Sequence, residues 1–167
     1  MLLSVGDGQG SPADIWTRPG LMLYGVSPFA DRVGSELGLT PVGTFTSQVI
    51  TVNDVPQGAF VGYAQTWQAQ RGSRIAIVAA GYADGYPRSI ANGTVCRVRG
   101  CDVMVAGRVS MDMLALDVTD VPAVERHDIV TLWGEGLPVE TVASSAGTIA
   151  HELMCRVSTR VRRTDAT

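Results

Sequence analysis

A phenol on a tight turn is the first place in this chain where residue type and spacing suggest chemistry. The stretch GYADGYPR, Gly81 to Arg88, follows the small and branched apolar run Ile75–Ala80. Gly, Asp and Pro serve the turn itself; Tyr82 does not. It can pack the rim of a β domain, or it can transfer a proton. A free tyrosine titrates near pH ~10, so a tyrosine base needs a neighbouring cation, and arginines are close in sequence.

Two further stretches hold polar groups at suggestive spacing. VAGRVSMDM, Val105 to Met113, sets Arg108 and Asp112 around Ser110 and Met111, next to Gly107, where the backbone can bulge or approach another group closely. It reads as an ordinary strand carrying an exposed ion pair, or as backbone N–H groups arranged for an anion. RPGLMLYG, Arg18 to Gly25, reads as loop punctuation ahead of a strand. Alternatively, Gly20 lets backbone N–H groups approach a phosphate while Arg18 offers a donor fork. The two histidines, His127 and His151, lack the partner spacing of a triad or a metal site.

Composition narrows the classes. A chain of 167 residues with 46% hydrophobic residues is globular and long enough for one domain with a core. The formal charge of -3 and the absence of a basic stripe exclude a nucleic-acid partner. The apolar runs are too short for a membrane span, and the start MLLSVGDGQGSP lacks the cationic region of a signal peptide. Cys96, Cys101 and Cys155, odd in number and without metal-type spacing, read as reduced thiols in the cytoplasm. All 13 basic residues are arginine. A chain without lysine cannot hold an aldehyde cofactor through a lysine imine.

The elements that position these residues are mainly β. Leu21–Tyr24 reads as a short strand after Arg18-Pro19-Gly20. Phe45–Val52, Ala59–Tyr63 as its hairpin partner, Arg74–Ala80, Thr94–Arg99, Val103–Val109, Met111–Val118 and Ile129–Trp133 follow as strands. A short helix over Glu140–Ser145 stops at Gly147, and Thr148 caps a second that runs through about Glu152. The expected fold is mainly β: an antiparallel, Greek-key-like barrel or sandwich with short C-terminal helices.

Taken in order, RPGLMLYG, AAGYADGYPR, GRVSMDMLALDVT, DIVTLWGEG and AGTIAHELMCRVSTRV resemble the alanine racemase family, over roughly residues 15–163. Each motif alone is weak; the ordered set is specific. The resemblance implies interconversion of L- and D-alanine on pyridoxal 5'-phosphate, for D-alanine supply to peptidoglycan. It also implies two parts, an N-terminal (β/α)8 barrel that carries the cofactor and a mostly β C-terminal domain. A barrel alone needs ~250 residues. The expected organisation is therefore a loose segment over 1–14, a remnant of the last barrel strand and its following segment over 15–38, and the C-terminal β domain over 39–167. The absent barrel would supply the lysine, so this chain alone should be inactive.

The resemblance also implies roles. Tyr82 would be the catalytic tyrosine that takes the proton from the Cα of L-alanine, acting in the other subunit of a head-to-tail homodimer. Met111 would hold the substrate carboxylate through its N–H, with Asp112 beside it and Arg108 in the substrate's approach channel. Arg18 would face the cofactor's pyridine nitrogen, and Gly20 and Leu21 would donate to its phosphate. His151 stands where the family has a tyrosine that reaches the phosphate, and Arg160-Val161-Arg162 where it has Arg-Val-Pro. Two alternatives stay open: a non-catalytic β domain that serves as a dimerisation or interaction module, and a racemase of another amino acid.

Overall fold

The structure of the chain is a computed structural model and describes residues 17–165. The expected loose segment 1–14, with Ile15 and Trp16, lies outside the described residues. Eight strands and two helices follow in order: β1 (Phe45–Val55), β2 (Phe60–Val61), β3 (Trp67–Gln68), β4 (Ser73–Val78), β5 (Val95–Val98), β6 (Cys101–Val105), β7 (Leu114–Asp117), β8 (Ile129–Trp133), α1 (Val139–Ser145) and α2 (Ala150–Arg156).

Six of the strands close into an antiparallel barrel in the order β1-β4-β7-β6-β5-β8. Closure removes the sheet edges. β5, β6 and β7 form a meander and β8 returns beside β5, which is a Greek key. The mainly β barrel with short helices after it is the architecture expected from the sequence. Local chemistry sets the tightest corner. Arg99 and Gly100, at φ 53° and 77°, link Val98 to its partner Cys101. Two positive-φ residues make the primed turn whose twist suits a two-residue hairpin.

The core fills the barrel with branched side chains: Val49, Val78, Leu116, Val130 and Leu132 are all within 1% of full burial. Aromatic rings cap one end. Trp133 meets Phe45 edge-on at 4.6 Å and stacks on Tyr86 at 5.9 Å. Leu153 of α2 and Val142 of α1 are fully buried against this core.

A buried pair in the core makes stability pH-dependent. Tyr86 Oη lies 3.5 Å from Cys96 Sγ. Burial pushes the Cys96 thiol up to about 11, against the hydrogen bond with Tyr86, which lowers it. Burial raises the Tyr86 phenol too, and the neighbouring Cys96 adds to the rise. The unfolded thiol loses its proton near ~8.5 while the folded one keeps it, so stability is full below that pH and falls as pH rises towards the folded value. Urea denaturation between pH 8 and 10.5 should show this loss, and Cys96→Ser should remove the thiol's share, on the order of 1–2 kcal/mol. Equal slopes in both proteins would contradict it.

Four expected elements differ. Gly20–Tyr24 is a 3-10 turn and not a strand: it starts at Gly20, with φ 57°, and ends at Gly25, with φ 76°. A left-handed residue at each end suits a turn and not an extended segment. β2 pairs with β3 and not with β1, because β1 continues to Val55 opposite Ser73 of β4. Residues 106–113 form a loop between β6 and β7 in place of strand, since Gly107 takes φ 86°. Thr148 does not cap α2: the N-cap is Ile149, without a side-chain bond, and the Thr148 hydroxyl donates to the Glu152 carboxylate instead.

The segment before β1 is fastened to the β domain. Glu140 Oε1 on α1 accepts the N–H groups of Ser27 at 2.8 Å and Gly34 at 2.9 Å. A Cβ on Gly25 would lie 2.0 Å from the Thr40 carbonyl oxygen, so only glycine fits there.

Candidate active site

Three segments meet on one face of the domain. The first is the turn between β2 and β3. Gly62 (φ 77°), Ala64 (φ 61°) and Gln65 (φ 53°) are all left-handed around Tyr63, which is 72% exposed. Left-handed non-glycine residues cost roughly 1 kcal/mol or more each and persist only where surrounding contacts hold them. Asn92 supplies such contacts. Its Nδ2 donates to the Thr66 carbonyl and its Oδ1 accepts the Gly107 N–H, each at 2.8 Å. A Cβ on Gly107 would come within 2.6 Å of the Val61 carbonyl oxygen, so the Tyr63 turn lies directly on Gly107 and Arg108.

The second segment is the turn after β4. Gly81 N–H donates to Asp84 Oδ2 at 2.9 Å, while the Asp84 and Tyr86 N–H groups donate back to the Gly81 carbonyl. This closes the turn and leaves Tyr82 40% exposed. The third segment is the loop 106–113. Its backbone carbonyls at Ser110 and Met111 accept the N–H groups of Tyr82 at 3.1 Å and Ala83 at 2.9 Å. Ser110 folds the loop tip over itself, bonding the Met113 carbonyl and N–H. Met111 and Met113 are left about half exposed. The Met111 N–H has no acceptor among the described residues, as a donor kept for a ligand carboxylate requires.

Arg160 ties the second and third segments together. Its Nε donates to Asp84 Oδ1 at 2.7 Å and its Nη2 to Asp112 Oδ1 at 2.6 Å. Burial pushes the Asp84 carboxyl up, but the hydrogen bonds from Arg160 and Gly81, with the Arg160 charge, outweigh it and hold the group below its ordinary value. A depressed carboxyl stabilises the fold above its unfolded value, near ~3.9, and that stability is lost as pH falls through the folded value. Urea denaturation should show wild type and Asp84→Asn drawing together from about pH 4 downward, and a gap that persists unchanged at pH 2 would contradict this.

Beside these segments lies an opening of about 320 Å³, lined in part by Thr66, Arg88, Asn92 and Arg108. Neither Arg88 nor Arg108 forms an ion pair among the described residues. Two unpaired guanidiniums at one opening suit a small carboxylate-bearing molecule.

The structure therefore brings together Tyr82, Arg108, Met111 and Asp112, all singled out from the sequence. It adds Tyr63, Arg88, Asn92 and Arg160. The signal for Tyr63 is a glycine directly before an otherwise unexplained tyrosine; Arg88 simply ends the GYADGYPR motif.

The remaining candidates lie apart from this network. Arg18 is exposed ahead of the 3-10 turn, Gly20 and Leu21 are in that turn, and His151 is exposed on α2. No hydrogen bond links any of the four to another or to the Tyr82 segment, and open space surrounds Gly20. With no lysine in the sequence, these residues do not by themselves make a cradle for pyridoxal phosphate. Among the described residues no cluster of His, Cys, Asp or Glu could hold a metal ion, and no helix is long and apolar enough to cross a membrane.

Comparison with known proteins gives a consistent answer. Residues 42–165 match the family described as "Alanine racemase, C-terminal domain". The chain is 53% identical over 148 residues to an alanine racemase of Stutzerimonas stutzeri, covering 89% of this chain and 41% of that protein. The crystal structure of the biosynthetic alanine racemase of Pseudomonas aeruginosa superposes with a TM-score of 0.86 at 47% identity, covering 89% of this chain and 41% of that one. The alanine racemase of Bartonella henselae, solved with covalently bound pyridoxal phosphate, gives 0.79 at 32% identity over 88% of this chain and 40% of that one. The chain thus spans about two fifths of the length of the relatives it matches.

Proposed function

The chain belongs to the alanine racemase family, matching its C-terminal domain, and from that premise we propose that it is the β domain of a pyridoxal-phosphate-dependent enzyme interconverting L- and D-alanine. It lends a proton-transferring tyrosine to an active site that another part of the enzyme completes. The observation that carries this reading is the convergence of an exposed phenol, a free Met111 N–H and unpaired arginines on one face.

Racemisation needs one proton-transferring group on each face of the substrate's Cα, and one well-placed group contributes ~10²–10⁴-fold. This chain supplies one of them. Two phenols compete for the role. The sequence resemblance points to Tyr82. Backbone strain points to Tyr63, since strained conformations are kept where function requires them; Tyr63 is also the more exposed, and the adjacent Gly62 lies against the Arg108 backbone. We therefore assign proton transfer with the L-enantiomer to Tyr63 and place Tyr82 beside it, lining the site. Arg88 and Arg108 draw the substrate carboxylate in, and the Met111 N–H holds it. Asp112, engaged by Arg160, fixes the loop that presents Met111.

The Bartonella relative holds its cofactor covalently, and attachment to an aldehyde cofactor needs an amine that no side chain here offers. The cofactor and its lysine therefore belong to an N-terminal barrel domain outside this chain, and the chain alone is inactive. Arg18, Gly20, Leu21 and His151 meet the cofactor only once that part is in place, His151 as a hydrogen-bond donor to the phosphate. The half-exposed Met111, Met113 and Tyr82 form an apolar face suited to a second subunit. The complete enzyme is then a cytoplasmic homodimer that makes D-alanine for the cell wall.

The test is to combine this chain with a barrel half from a close relative and pyridoxal phosphate. D-alanine should form from L-alanine well above the rate with free cofactor, while the chain alone should add nothing to that rate. Binding of the barrel half without D-alanine formation would overturn the reading in favour of an interaction module. Turnover by the chain alone would overturn the lysine argument.

A further inference from the structure

We infer that Arg160 is a positioning residue for the Tyr82 turn and the carboxylate-binding Met111 loop, an inference that rests on the racemase reading for its catalytic consequence. The chain leaves α2 at Arg156 and passes so close to Gly85 that a Cβ there would lie 2.3 Å from the Arg156 carbonyl oxygen. Ser158 N–H then donates to the Asp84 carbonyl at 3.0 Å. These contacts deliver Arg160 to a point between two carboxylates on separate turns, Asp84 at 2.7 Å and Asp112 at 2.6 Å. A planar guanidinium offers several donors in a fixed fork and so spans both at once; an ammonium is a single point donor site. Asp84 belongs to the turn bearing Tyr82, and Asp112 directly follows Met111. Without the clamp, two backbone hydrogen bonds join these turns, Tyr82 N–H to the Ser110 carbonyl and Ala83 N–H to the Met111 carbonyl.

The clamp's larger contribution is registration, beside the pH-dependent stability that the Asp84 carboxylate, only 15% exposed, draws from it. Arg160 and Asp112 are each about half exposed, at 48% and 55%, and pairs this open to water add little to folding. Register is different: a misplacement of ~1 Å in a positioned group can lower rates by ~10²-fold.

The test has two arms. In the chain itself, hydrogen exchange is measured at the amides of Tyr82 and Ala83 in wild type, Arg160→Met and Arg160→Lys. Arg160→Met should speed exchange at these two amides about tenfold, with amides in β4 and β7 far less affected and the melting temperature lowered only by the loss of the Asp84 pair; Arg160→Lys should fall between. Unchanged exchange at Tyr82 and Ala83 would overturn the clamp whatever the enzyme does. In the enzyme completed by a barrel half, Arg160→Met should lower kcat/KM about 10–100-fold, with KM raised because the Met111 N–H that holds the carboxylate shifts. Arg160→Lys should restore part of it, and Asp112→Asn should add nothing to the loss in Arg160→Met. An active wild type with kcat/KM unchanged in Arg160→Met would overturn the catalytic consequence. An assembled wild type that makes no D-alanine would overturn the racemase reading instead and leave the exchange result standing.

Discussion

Replacing Tyr63 by phenylalanine in the barrel-completed enzyme should lower the rate of alanine racemisation ~10²–10⁴-fold, the usual worth of a single positioned acid–base group. Tyr82→Phe should cost about tenfold or less, because its ring stays to line the site and only a hydroxyl is lost. Tyr63→Phe removes one oxygen from a side chain that is 72% exposed, so folding should be unaffected and the loss should appear in kcat. D-alanine formation by both variants beside wild type settles the order. A larger loss in Tyr82→Phe would return the catalytic role to Tyr82 and reduce the strained turn at Gly62–Gln65 to a loop feature.

The second large effect is steric. A Cβ on Gly81 would lie 2.3 Å from the Met111 carbonyl oxygen and 2.4 Å from that of Ser110. Both obstacles are backbone, so neither can swing aside as a flexible side chain would. Gly81→Ala must part the turn after β4 from the loop 106–113, breaking the bonds of Tyr82 and Ala83 to that loop. Overpacking of this kind costs typically ~1–3 kcal/mol. Activity should fall with stability, because the same contact holds the site together. Gly72→Ala is the matched control. Nothing lies within 4 Å of its Cβ position, and its effect should stay within about 0.5 kcal/mol. Denaturant midpoints for the two variants make the comparison, and equal midpoints would contradict the close approach at Gly81.

Much of the barrel was legible because its strands obey simple periodicities. The Ile-Ala-Ile-Val run of β4 reads as buried, and Ile75, Ala76 and Val78 are. Ile129–Trp133 matches its expected bounds. Leu21–Tyr24 was misread because four consecutive apolar residues suit a strand as well as a short turn of helix; the left-handed glycines on either side decide it. The Tyr63 turn was hidden inside an expected strand, since single-residue propensity says nothing about the left-handed backbone at Ala64 and Gln65. Those conformations depend on Asn92 and Gly107, distant in sequence. Arg160 was legible only as the first residue of a family motif whose departure lies at Arg162. Its role comes from partners 76 and 48 residues away, a relation that local pattern cannot carry. Gly81, by contrast, announced a tight turn but not the backbone pressed against it.

The central claim is that this face supplies one of two proton-transferring groups and that Tyr63 is that group. Its most direct test is exchange of the Cα hydrogen in deuterium oxide, followed separately for L- and D-alanine with the barrel-completed enzyme. Wild type should exchange both enantiomers. Tyr63→Phe should nearly abolish exchange from L-alanine while retaining much of that from D-alanine, whose Cα hydrogen faces the group supplied from outside this chain. Equal losses for both enantiomers, or none for either, would contradict the account.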